Sequence, residues 1–184
     1  MRAPAPPYRG QGPHVLWHVS EDPTLSRFTP HRAKTAITDE PLVWAVDTRH
    51  LPLYWFPRDC PRCRFWAGEG TTDADVDRSL GGDRRIRSHV IEDRSLDRVG
   101  AARLHLYRMP QATLTESPDT AGYWMSREPI EALERVTIDD LAGRHAAAGI
   151  PLRTVPNLWP LWDAVVASTL EFSGMRLRNA IARP

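Results

Sequence analysis

The sequence has little cysteine, a single lysine and almost no net charge. Only 2 of its 184 residues are cysteine, too few for the disulfide framework of a small secreted domain. Because 24 Lys and Arg nearly balance 23 Asp and Glu, no overall attraction to nucleic acid or an anionic membrane is expected. No stretch approaches the roughly 18 apolar residues of a membrane span. We therefore expect a cytoplasmic protein without a membrane partner, while a nucleic-acid or protein partner stays undetermined.

The length and composition indicate one ordinary globular domain. A hydrophobic fraction of 41% with 26% charged residues is typical of folded soluble proteins. The length is enough for one hydrophobic core and small for two. Residues 1–13 are rich in Pro and Gly, which predicts a flexible N-terminal segment. We expect a single α+β domain over residues 14–184.

Short strands dominate the predicted elements. Apolar alternation and β-branched residues predict strands at 14–19, 42–46, 64–67, 86–92, 104–109, 122–126 and 135–138. Helices are predicted at 95–102, at 139–148 with Asp139 as N-cap, and from Asn157 to about Phe172. Since no regular βαβ alternation is present, this order favours an α+β fold with a bent or split, mostly antiparallel sheet and a few helices.

Residues 68–85 have a different composition from their neighbours. They are polar, acidic and glycine-rich, with no apolar period, as in surface loops. We expect this segment to be mobile and peripheral, so that its removal costs little stability.

The first strand carries polar residues at alternate positions. His18 and Ser20 stand two residues apart, and such residues share one face of a strand. Both side chains can therefore reach the edge of one pocket. The alternative is structural: His18 would be a core histidine bonded to a backbone carbonyl, and Ser20 would terminate the strand.

A second group of candidate residues follows the second predicted strand. Tyr54 and Trp55 can stack on a ligand ring or simply pack in the core. Arg58 can bind a phosphate group or fix its own loop through an ion pair. Cys60 and Cys63 have the spacing of half a zinc site, but no second such pair is present. No metal is therefore expected, and two buried thiols are favoured.

Three blocks of sequence carry a family resemblance. They are HVSE at 18–21, PLVWAVD at 41–47 and FPRDCPR at 56–62. With these blocks the chain resembles a family of small uncharacterised bacterial proteins that has no established activity. More distantly, the strand LWHVS and the order of elements are similar to the ADP-ribosyltransferase-like fold, which includes RNA 2'-phosphotransferases.

The distant resemblance implies a ligand and a set of roles. His18 would hold the ribose or amide of NAD, Ser20 would add a hydroxyl, and Tyr54 or Trp55 would pack on nicotinamide. Glu128 would supply the late carboxylate, which stabilises the oxocarbenium-like cation formed when nicotinamide leaves. His18 and Glu128 would then be the catalytic residues of an ADP-ribosyl or 2'-phosphoryl transferase.

A non-enzymatic hypothesis, in which these residues only bind a ligand or a protein, also stays open. The cleft would then bind a small nucleotide-like ligand or a protein without reaction. The position of Glu128 separates the two readings, because a carboxylate near His18 supports catalysis and one in solvent supports binding alone.

Overall fold

The computed structural model describes residues 15–32, 40–117 and 122–183. The chain forms two compact units, one made of residues 1–55 and 104–138 and the other of residues 56–103 and 139–184. Both contain mostly antiparallel sheets, so the predicted α+β class is confirmed. The single domain over 14–184 stays a prediction, and the predicted flexible segment 1–13 lies outside the described residues.

The described residues contain twelve strands and four α-helices. The strands are β1 (Leu16–Ser20), β2 (Arg27–Phe28), β3 (Val43–Asp47), β4 (Arg62–Trp66), β5 (Arg87–Glu92), β6 (Leu104–Met109), β7 (Thr115–Glu116), β8 (Tyr123–Ser126), β9 (Ile130–Glu131), β10 (Glu134–Ile138), β11 (Leu152–Val155) and β12 (Glu171–Met175). The helices are α1 (Asp73–Leu80), α2 (Leu96–Ala101), α3 (Leu141–Ala147) and α4 (Leu158–Val166). All seven predicted strands are confirmed to within two residues.

The first unit is built on a six-stranded antiparallel sheet in the order β10-β6-β1-β3-β8-β7. Strands β2 and β9 form a separate antiparallel pair. This pair brings Phe28 and Ile130 into a buried cluster with residues of the large sheet. The sheet residues in that cluster are Leu16, Val43, Ala45, Tyr107, Met109 and Trp124. One face of the sheet is therefore a hydrophobic core, and β1 lies near its centre.

The second unit is built on a four-stranded sheet in the order β11-β5-β4-β12. Only β11 and β5 run parallel in this sheet. Its core is a buried cluster of residues from the strands, the helices and the segment before β12: Cys63, Phe65, Val76, Leu80, Val90, Leu158, Val165 and Leu170. Because side chains alternate along a strand, Arg62, Arg64 and His89 lie on the opposite face of β4 and β5.

The expectation of a peripheral loop at 68–85 is wrong. Helix α1 occupies the middle of this segment, with Thr72 as its N-cap and Gly81 ending it in the left-handed conformation. Val76 and Leu80 are buried in the core of the second unit. Val76 and Leu80 are the only buried apolar residues of this segment. Two positions are too few to show a helical period, so composition does not reveal that the segment packs in the core.

The C-terminal elements also differ from the sequence predictions. The N-cap of α3 is Asp140 rather than Asp139, since the Asp140 carboxylate accepts a hydrogen bond from the Gly143 amide. Helix α4 begins after Asn157 as expected but ends at Val166. Phe172 belongs to β12, where it pairs with Phe65. Strand pairing across a long sequence separation therefore overrides the helical spacing of these apolar residues.

Candidate functional site

Strands β1 and β3 part at His18. β1 pairs with β6 over five residues, from Leu16 to Ser20. Its pairing with β3 covers only two, ending at Trp17 opposite Val46. Beyond Trp17 the His18 side chain connects β1 to β3, because its Nδ1–H donates a hydrogen bond to the Trp44 carbonyl oxygen at 2.9 Å. We call this place, where the pairing ends and His18 bonds to Trp44, the β1–β3 split.

The His18 ring has a defined orientation and protonation pattern. It is half-buried, and its centroid lies 4.7 Å from that of Phe28. A carbonyl oxygen only accepts hydrogen bonds, so the proton of neutral His18 lies on Nδ1 and Nε2 is the acceptor. This hydrogen bond is also what the structural alternative predicts, namely that His18 is a core histidine bonded to a backbone carbonyl. The role of His18 in binding therefore stays a prediction.

Ser20 shares the His18 face of β1 and begins a tight turn. Its Oγ accepts a hydrogen bond from the Asp22 amide at 3.1 Å. The Thr24 hydroxyl and amide both donate to the Asp22 carboxylate and lower its pKa. The Tyr107 hydroxyl then donates to the Asp22 carbonyl at 2.6 Å, which ties the turn to β6. Ser20 thus performs the strand-ending role, and its ligand role stays a prediction.

The two candidate aromatic residues lie at the end of a short 3-10 helix, Leu51–Tyr54. Tyr54 and Trp55 are both half-buried. The Tyr54 hydroxyl donates to that of Tyr123 at 2.8 Å, with the rings edge-to-face at 6.1 Å. The hydroxyl group of Tyr54 therefore holds this side chain against β8.

The start of this 3-10 helix is anchored by residues that sequence reasoning missed. The buried Asp47 carboxylate accepts hydrogen bonds from the His50 amide and Nδ1, both at 2.8 Å. Gly122 packs directly on the His50 ring, where a Cβ atom would come within 2.0 Å of Nδ1. Gly122 also has φ +79, so glycine is required here for space and for backbone conformation. Asp47 and His50 are only three residues apart, but Gly122 comes from a distant segment, so no local pattern marks the whole cluster.

Glu128 and Arg58 are placed differently from the other candidates. Glu128 is exposed, and its carboxylate has no hydrogen bond or ion pair within residues 15–32, 40–117 and 122–183. The Ser126 hydroxyl instead holds the backbone of Glu128. Arg58 is exposed and belongs to the second unit. His18, Ser20, Tyr54 and Trp55 belong to the first unit with Glu128, and all these roles stay predictions.

A chain of hydrogen bonds joins two buried histidines in the second unit. His145 Nδ1 donates to the Leu141 carbonyl at 2.7 Å, so its Nε2 accepts from His89 Nδ1 at 3.0 Å. His89 Nε2 is consequently an acceptor, buried and without a hydrogen-bond partner in the described part of the chain. The Phe56 ring lies against both imidazoles. Sequence reasoning missed this pair, which is 56 residues apart.

The surroundings keep both imidazoles neutral. Burial lowers the pKa of His89 well below its usual range, and the positive charges of Arg64, Arg87 and Arg62 lower it further. Burial also lowers the pKa of His145, against the opposing effect of the Leu141 carbonyl. The second unit thus contains two histidines that resist protonation.

Comparison with known proteins assigns the chain to a family. A family model described as a family of unknown function matches residues 17–180. The chain belongs to the DUF6886 family. No curated protein and no solved structure matches it. DUF6886 membership agrees with the resemblance to an uncharacterised family, whereas no known structure supports an ADP-ribosyltransferase-like fold for this DUF6886 chain.

Two further properties of this DUF6886 member concern membranes and metals. Among the described residues, no helix has the length and apolar character needed to cross a bilayer. The same residues contain no group of three His, Cys, Asp or Glu side chains arranged for a metal ion. Cys60 and Cys63 are free and buried, which confirms the two buried thiols favoured from sequence.

Both thiols of this DUF6886 chain are expected to resist alkylation in the folded state. Burial raises the pKa of Cys63 to about 12 and also raises that of Cys60. Since the thiolate is the reacting form, N-ethylmaleimide should label the native protein at least about a hundredfold more slowly than the guanidinium-unfolded protein. Mass spectrometry of timed samples measures both rates. Rapid labelling of either native cysteine would contradict the packing described here.

Proposed function

We propose that the first unit binds a nucleotide- or NAD-like ligand at the β1–β3 split. The observation that carries this proposal is the bond between His18 Nδ1 and the Trp44 carbonyl at the point where strand pairing ends. It fixes the orientation of the imidazole and makes Nε2 an acceptor, the kind of atom to which a ribose hydroxyl or an amide N–H donates. The distant resemblance to the ADP-ribosyltransferase-like fold supports the same ligand class.

The chemistry of a carboxamide suits an opening in a sheet. Backbone N–H and C=O groups facing such an opening need hydrogen-bond partners, and a carboxamide offers both a donor and an acceptor. Tyr54 and Trp55 are the aromatic residues that the resemblance assigns to packing on the ring of such a ligand. Ser20 would approach from the same face of β1 as His18. An NAD-like molecule combines all of these groups.

Binding without reaction is the form of this proposal that the geometry supports best. Glu128 is exposed, and no hydrogen bond connects its carboxylate to His18 in the described structure. ADP-ribosyl or 2'-phosphoryl transfer is the narrower proposal, which requires Glu128 to contact the bound ligand. Arg58 is left out of this site because it belongs to the second unit. A cytoplasmic location is proposed from the two free thiols.

The His18→Ala variant is expected to lose most of its affinity for NAD or ADP-ribose. Removing the imidazole leaves a ligand donor unpaired in a half-buried site, at a cost of about 1–3 kcal/mol, or roughly ten- to a hundredfold in Kd. Titration calorimetry with both ligands measures the change. His31→Ala is the matched control, since His31 is an exposed histidine of the same unit and its loss should not alter binding.

Two outcomes would overturn the proposal. The first is no heat with either ligand for the wild-type protein up to about millimolar concentration, where a binding free energy near 4 kcal/mol registers. The second is equal affinity of wild type and a folded His18→Ala variant. Assay of free nicotinamide in the same samples separates binding from transfer, because release that Glu128→Gln abolishes without loss of affinity supports catalysis.

A further inference from the structure

A cleft of about 470 Å³ opens in the second unit. It is lined by Asp59, Pro61, Arg94, Ser95, Arg98 and Asn179. Its volume lies within the roughly 300–1,000 Å³ of small-molecule sites. All of these residues belong to the second unit, so the cleft shares no residue with the β1–β3 split and does not rest on the function proposed above.

Arg94 is held in position on one side of the cleft. Its Nε donates to Glu92 Oε2 at 2.9 Å, and its Nη2 donates to the Asn179 carbonyl at 2.7 Å. The Glu92 side chain is completely buried, so this support is rigid. Among the described residues no group accepts a hydrogen bond from Arg94 Nη1, so this guanidinium nitrogen can donate to a ligand.

The walls of the cleft are also joined to one another. The Asn179 amide Nδ2 donates to the Asp59 carbonyl at 2.9 Å, which links the C-terminal segment to the loop before β4. The Ile181 amide donates to Glu92 Oε1 at 2.8 Å. A cleft built this way needs little ordering when a ligand binds, and preorganisation of this kind favours affinity.

Arg98 supplies a second positive charge at this cleft. It follows Arg94 by four residues, so the two side chains lie on one side of this helical segment. Arg98 is exposed and makes no hydrogen bond or ion pair within the part of the chain that the structure describes. Because Glu92 already neutralises Arg94 and the carboxylate of Asp59 also lines the cleft, an anion can bind only if Arg98 contributes its positive charge.

We propose that this cleft binds a hydroxylated phosphate monoester of the size of a ribonucleoside monophosphate. The phosphate lies between Arg94 and Arg98, whose planar guanidinium groups match phosphate oxygens. Asp59 offers only acceptor atoms, so it favours a ligand hydroxyl and repels a second anionic group. AMP, with one phosphate and two ribose hydroxyls, is the probe that tests this combination.

The Arg98→Gln variant is expected to bind AMP at least tenfold more weakly than the wild type at low ionic strength, because one charge-assisted contact is lost. Adenosine, which lacks the phosphate, should bind at least tenfold more weakly than AMP. Arg153→Gln is the matched control, since Arg153 is exposed in the same unit and does not line the cleft. Calorimetry with the 184-residue chain measures all four affinities.

Several results would overturn this inference. They are no heat with AMP up to about millimolar concentration, equal binding of AMP and adenosine, or equal affinity of wild type and Arg98→Gln. Loss of AMP binding in His18→Ala would assign the nucleotide to the β1–β3 split and remove it from this cleft. Arg94→Gln is not a useful variant, because it leaves Glu92 buried without its cation and so tests folding.

Discussion

Deletion of residues 69–83 is expected to leave the second unit without a cooperative fold. The deletion removes helix α1, and with it Val76 and Leu80 from the cluster that also contains Leu158 and Val165. It also removes Asp75, which accepts hydrogen bonds from the Thr169 amide and hydroxyl. Circular dichroism and urea unfolding of the truncated protein measure the loss.

A point variant gives the same test without shortening the chain. Leu80→Ala should lower the free energy of unfolding by about 2–4 kcal/mol, because it leaves a cavity in a packed core. Leu96 is a leucine of the same unit whose exposed fraction is 45%, so Leu96→Ala should cost no more than about 0.5 kcal/mol. Unchanged unfolding of the deletion variant, or equal effects of the two leucine variants, would restore the view of 68–85 as a surface loop.

The free energy of unfolding is expected to fall steeply as the pH drops from about 6.5 to 5. His89 and His145 have depressed pKa values in the folded protein, so they stay neutral while the unfolded chain takes up two protons. Their stabilising effect is complete above the unfolded pKa of about 6.5 and is lost as the pH falls toward the folded values. Two such groups change the free energy by at most about 2.7 kcal/mol for each pH unit. Urea unfolding at several pH values measures the slope.

Variants assign this slope to the histidine pair. Arg64, Arg62 and Arg87 keep their charge throughout this range, so they oppose protonation of His89 equally at every pH. In the His145→Gln variant position 145 no longer titrates. If this variant folds, the slope of its unfolding free energy against pH should be smaller by up to half. His89→Gln provides the second measurement, and exposed His31→Gln should leave the slope unchanged. A pH dependence that is identical in the wild type and both buried variants would show that other groups cause it.

The strands could be predicted because their signal is local. Alternation of apolar and polar residues in β1, β5 and β6 depends only on which side chains face a core, and it survives in any sheet arrangement. For the candidate site, the spacing of two residues was enough to predict that His18 and Ser20 share one face of β1. The Trp44 carbonyl that orients His18 could not be predicted, because strand register determines it.

By itself, the sequence determined an α+β chain with mostly short strands, two free cysteines and a polar end to its first strand. The tertiary structure alone decided that α1 belongs to the core, that Phe172 pairs in a strand, that His89 meets His145, and that Arg94 and Asn179 enclose a cleft. Each of these depends on segments far apart in the chain. The contacts between these segments stabilise the protein only once the sheets have formed. No local pattern of residues can therefore predict them.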